Sequence, residues 1–130
     1  MSSTITIKVI ISCALLVLLI FTGIYIHRTG KPYHTLIFGI HKLFTVALIV
    51  ILSMVSNDYL RGAGPGFFHY LLPGMMILSL ACLLISGGMM SLDRNQAPML
   101  VIHRLSTAVF LAGFLPFIYM ITTWTIQNLQ

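Results

Sequence analysis

The sequence predicts an all-α fold, a four-helix transmembrane bundle built from two tandem helical hairpins. Three observations predict it. The chain of 130 residues is 58% hydrophobic and carries only seven cationic and two acidic side chains, where a soluble domain has roughly 25% charged residues. Its mean hydropathy is +1.03, more apolar surface than a core of this length could hide from water, so lipid is its natural solvent. Glycine, proline and charged residues gather in three short clusters, which divide the apolar sequence into four runs long enough to span a bilayer. These describe one membrane domain over residues 1–130, with helices at about 7–26, 34–56, 67–90 and 98–126.

The first run, Val9 to Ile26, is free of charge, with Lys8 before it and Arg28 after it. Residues 1–8 are only weakly basic and no small-x-small cleavage site closes the run, which favours a retained helix over a signal peptide. His27 to Tyr33 form the first connection, where Gly30 and Pro32 break the helix. A second helix follows from about His34 to Ser56. Asn57 to Gly66 contains Asp58, Arg61, three glycines and Pro65, and reads as an exposed loop. In the third helix Pro73 falls in the first turns, where proline is tolerable. Ser91 to Ala97 form the last connection, and Pro98 suits the first turn of helix four. Pro116, far inside that helix, should kink it or free a carbonyl.

Charge sets an expected orientation. Arg28, Lys31 and Arg94, with Lys42 and Arg104 close behind, outweigh Lys8 and Arg61 on the opposite side. The positive-inside rule then puts the two short connections in the cytoplasm and both termini outside. Tyr25 and Tyr33 would mark one interface, and Tyr59, Tyr70 and Trp124 the other. With no organellar transit segment, a bacterial or archaeal plasma membrane is expected. The cations form no stripe, which argues against nucleic acid as a partner. Cys13 and Cys82 lie in separate runs without a C-x-x-C, so they read as small buried hydrophobes and not as a redox pair.

A short repeat points to a site. His41-Lys42-Leu43-Phe44-Thr45 and His103-Arg104-Leu105-Ser106-Thr107 share a histidine, a cation after it, leucine at the third place and threonine at the fifth. Each copy opens the second helix of a hairpin, so the halves would be related by a pseudo-two-fold axis along the membrane normal. Both histidines should lie roughly 8–10 Å below the helix starts. A cation at bilayer depth costs roughly 2.5 kcal/mol or more, so something should compensate. Two neutral imidazoles at one depth can supply opposite axial bonds to an iron between them. Their second nitrogens are expected to donate to the carbonyls of Ile37 and Met99, one turn earlier. Lys42 and Arg104 can snorkel to pair with the propionates of a haem. Thr45 and Thr107, one turn further in, either bond their own helix carbonyls or line the ring edge. His34 is the reserve ligand, His27 a solvated helix-end residue, and His69 has no histidine opposite it.

Histidines on helices two and four of a four-span unit, each followed by a basic residue, resemble the integral-membrane haem b cytochromes of the bis-histidine type. That resemblance implies one haem b per chain held by His41 and His103, and electron transfer with a membrane quinone, a redox protein or a small oxidant such as superoxide. The protein would then be an electron carrier or a membrane oxidoreductase. Two-haem members carry a second histidine about fourteen residues beyond each ligand, whereas this chain has Val55 and Phe117 there, which limits it to one haem.

Two other classes stay open. Lys42 and Arg104 could bind an anion in a small four-helix transporter, which could work as a homodimer; a proton-coupled cation exporter would need a carboxylate within a span, and none is expected there. An anchor subunit of a membrane complex is the third class.

Overall fold

The computed structural model describes residues 2–30, 32–62, 66–92 and 96–127. Four helices account for almost all of them: α1 (Ser2–Thr29), α2 (Thr35–Gly62), α3 (Phe67–Ser91) and α4 (Gln96–Gln127). Each is long and apolar enough to cross a membrane, and no strand occurs among the described residues. The protein is an all-α, multi-pass integral membrane bundle. Lys31 and Arg94, whose charges entered the expected orientation, lie outside the described residues.

The helices run longer than the apolar pattern alone implies, and each extension has a local cause. α1 reaches Thr29 because Gly30 adopts a left-handed conformation, φ 66°, and its amide bonds back to the Ile26 carbonyl at 3.2 Å. Glycine takes this capping geometry without the penalty of a Cβ. At its other end α1 is held by burial of Ile5 and Val9. α2 continues through Asn57 and Asp58 to Gly62, so these residues are helical and not the start of a loop. Tyr59 explains the difference. Instead of marking an interface it is 2% exposed, with Phe117 at 6.1 Å and Trp124 at 5.7 Å, both edge-on to its ring. Burying that ring rewards another turn of helix. Asp58, one residue earlier, faces α1 and pairs with Lys8 at 2.6 Å. A carboxylate therefore does lie within a membrane-spanning helix, contrary to the sequence reading.

α3 begins after Gly66, which is extended at φ −126°, ψ 147°, and whose carbonyl accepts from the His69 amide at 3.0 Å. Pro98 sits in the first turn of α4, and the helix remains intact through Pro116 to Gln127. Without a proline N–H, the carbonyl freed there is that of Ala112.

Packing follows chain order: α1 on α2, α2 on α3, α3 on α4, with α4 meeting α1 only lightly. α2 and α4 are thus diagonal in the bundle, as are α1 and α3. The tight core belongs to the half containing Tyr59, where Leu52, Val55, Met76, Phe117 and Ile121 are almost wholly buried. Hydroxyls inside the bundle mostly bond the carbonyl one turn back, as Ser12, Ser79 and Thr125 do, the usual solution where no water is available. Towards the α1–α2 and α3–α4 connections the bundle becomes hollow.

Candidate functional site

The hollow is a cavity of about 420 Å³, lined by residues from all four helices and by Tyr33 of the first connection. Ligand pockets typically span about 300–1,000 Å³. His41 from α2 and His103 from α4 both line it. They stand six and seven residues beyond the observed helix starts, or about 9 and about 10 Å at ~1.5 Å per residue. The repeat therefore brings one histidine from each hairpin to a common depth on diagonal helices, facing one space.

Each ring is held by the preceding helix. Thr22 Oγ1 of α1 lies 2.8 Å from His41 Nδ1, and Ser86 Oγ of α3 lies 3.0 Å from His103 Nδ1. A hydroxyl has one proton, and both residues commit it to their own helix: Thr22 donates to the Leu18 carbonyl at 2.8 Å and Ser86 to the Cys82 carbonyl at 2.7 Å. The oxygen can still accept from an imidazole N–H, and which atom of each pair donates is set by the ring's tautomer. The carbonyls of Ile37 and Met99, expected as acceptors, are not the partners. They already receive the histidines' own backbone amides in the helix ladder.

A glycine follows each of these hydroxyl residues. A methyl group added at Gly23 would meet His41 Cε1 at 3.4 Å, and one at Gly87 would meet His103 Cε1 at 3.6 Å. The ring edges thus rest directly against glycine backbone. Thr45 and Thr107 bond the carbonyls of their own helices, those of His41 and His103, at 2.9 and 2.8 Å, and they line the cavity.

Cations rim the hollow. Lys42 and Arg104 both line it, and among the described residues no acidic side chain does. Lys42 Nζ sits 4.3 Å from the centre of the Phe38 ring, which itself stacks on Tyr33 at 5.6 Å. The rim is therefore closed by an aromatic pair on the α1–α2 side, while Arg104 opposite is exposed. His34, the reserve ligand, is exposed and contributes nothing to the lining. His27, read as merely solvated, does belong to the rim. Among the described residues no group of three or more His, Cys, Asp or Glu side chains could hold a metal ion.

The opposite end is arranged differently. His69 stacks on Tyr59 at 5.6 Å and 23°, and its buried Nδ1 has no hydrogen-bond partner among the described residues. A nearby depression lined by Phe67, Tyr70 and Leu71 belongs to α3 alone and is open to the surroundings.

Fold and site define a class: a four-span membrane bundle with a cavity lined by one histidine from each hairpin. No protein-family model, curated protein or solved structure matches the chain. The site itself must carry the functional reading.

Proposed function

We propose that the protein is a membrane haem b protein that transfers electrons, with one haem held between His41 and His103. One observation carries this reading: two imidazoles on diagonal helices line a single cavity, each with Nδ1 in contact with a hydroxyl of the preceding helix. The donor set also fits. Two histidines are too few for a bare ion, whose sites usually draw three or four protein ligands, but they suffice when a macrocycle supplies the other four. Apolar walls and the glycines at positions 23 and 87 suit a flat, greasy group, and Lys42 and Arg104 at the rim suit its two carboxylates. When bound, haem supplies one-electron iron chemistry at a potential set by ligands, burial and hydrogen bonds. The chain's own residues would bind and orient it, exclude water and balance its charge.

Electrons would be exchanged with a membrane quinone, a redox protein or a small oxidant such as superoxide. The basic rim would face the cytoplasm of a bacterial or archaeal cell, with both termini outside. The test is an absorption spectrum of the purified protein after reduction. Sharp haem b bands in wild type that vanish in His41→Ala and in His103→Ala uphold the reading; a folded, colourless protein that takes up no added haemin ends it.

A second reading, an anion transporter, is supported by the same two rim cations and by a lining that, among the described residues, holds no acidic side chain. It predicts a colourless protein that carries phosphate or a carboxylate across vesicles.

A further inference from the structure

We propose that the hydroxyls of Thr22 and Ser86 are positioning groups that lock both cavity histidines in the Nδ1–H tautomer and so leave Nε2 of each ring as the nitrogen that would hold the haem iron. The proposal rests on the haem reading for its purpose, though the tautomer itself can be measured without haem. Two independent pairs show the same arrangement. In each, a hydroxyl on the first helix of a hairpin gives its proton to its own helix, at 2.8 Å for Thr22 and 2.7 Å for Ser86. In each, the oxygen then meets Nδ1 of the histidine on the second helix, at 2.8 and 3.0 Å.

A free neutral histidine populates both tautomers, and only the form protonated at Nδ1 leaves Nε2 able to bind a metal. A hydroxyl already donating to backbone cannot supply a second proton, so it accepts and selects that form. Ring-nitrogen partners of this kind also fix the orientation of the imidazole. Each ring also lies against the residue after the hydroxyl, with Cε1 at 3.4 and 3.6 Å, ordinary contact distance, from where a methyl would sit at Gly23 and Gly87. Other helix hydroxyls, such as Ser79 and Thr125, bond back to their own helix. Thr22 and Ser86 differ from them in having an imidazole nitrogen within reach.

The experiment uses the full chain in detergent with Thr22→Val, Ser86→Ala, and the conservative Thr22→Ser and Ser86→Thr. Nitrogen-15 NMR of labelled histidines in the haem-free protein reads the tautomer. Haemin titration reads affinity, and a redox titration reads midpoint potential. The expected result is an Nδ1–H signal for both rings in wild type. Each hydroxyl deletion should bring a mixed tautomer at its own ring, about 10–100-fold weaker haemin binding and a shifted potential. The conservative swaps should restore all three. An Nε2–H tautomer in wild type, or deletions that leave tautomer, affinity and potential unchanged, would overturn the proposal. Conservative swaps that lose as much as the deletions would do the same, since they would indicate packing alone. If wild type shows the Nδ1–H tautomer but takes no haemin, the haem reading fails and the positioning role stands.

Discussion

Lys8 and Asp58 form a 2.6 Å ion pair that joins α1 to α2 at the end of the bundle opposite the histidine cavity. α1 contributes little to the tight core, where only Ile5, Val9 and Leu19 are buried apolar side chains, so this tether matters more than its strength suggests. Both side chains keep some exposure, 21% and 30%, which lowers the value of the pair well below that of a fully buried one. Asp58→Asn or Lys8→Met should each destabilise the protein by about 1–2 kcal/mol, because the surviving partner is left unpaired near lipid. The double replacement Lys8→Met with Asp58→Leu should recover most of that loss, since it leaves no lone charge. Unfolding in mixed micelles measures all three, and a double mutant as unstable as the worse single would refute the account.

His41 and His103 should each be indispensable for haem retention, while His34 should not. The first two line the cavity; His34 is exposed and lies outside it. His41→Ala and His103→Ala should purify without bound haem and regain reduced-haem bands on adding free imidazole, which can refill the space left by the ring. His34→Ala and His69→Ala should keep the wild-type spectrum. Loss of haem in His34→Ala with retention in His41→Ala would exchange their roles.

How much of this was legible in the sequence differs by feature. The four spans were, because uninterrupted apolar runs and Gly/Pro clusters are strong signals in lipid. The histidine pair was too, because its neighbours repeat. Thr22 and Ser86 were not. They stand nineteen and seventeen residues before their histidines, so an ungapped alignment on the histidines sets Thr22 against Leu84 and hides the match. The signal that could have found them is a hydroxyl followed by glycine in the first helix of each hairpin. Asp58 was misplaced because Asn57-Asp58 and the glycines after them look like a turn. The burial of Tyr59, a tertiary effect, extends α2 past them.

Gly62 should not tolerate a side chain. A Cβ there would overlap the six-membered ring of Trp124, and that indole is pinned edge-on against Tyr59. Gly62→Ala should therefore cost about 1–3 kcal/mol, in the range of other overpacked sites, despite alanine's better helix propensity. Trp124→Phe, which removes part of the obstructing ring, should reduce the penalty. Because the clash lies at the far end of the bundle, haem content should be unaffected where the protein folds. Thermal unfolding of the single and double variants reads the result.

The glycines beside the two histidines should behave differently from Gly62, because what lies next to them is a ring edge and open cavity. At Gly23 and Gly87 a methyl makes ordinary contact with Cε1, at 3.4 and 3.6 Å, so Gly23→Ala and Gly87→Ala should fold and still load haem. A leucine would extend past the ring into space that the proposed haem needs. Gly23→Leu and Gly87→Leu should therefore bury apolar surface and raise helix propensity, keeping or increasing thermal stability of the haem-free protein. Haemin binding should fall by at least tenfold, a loss of about 1.4 kcal/mol. Stability and loading would then move in opposite directions, which a merely destabilised protein cannot produce. Leucine variants that load haem normally would show that the group, if bound, does not occupy the cavity beside these glycines.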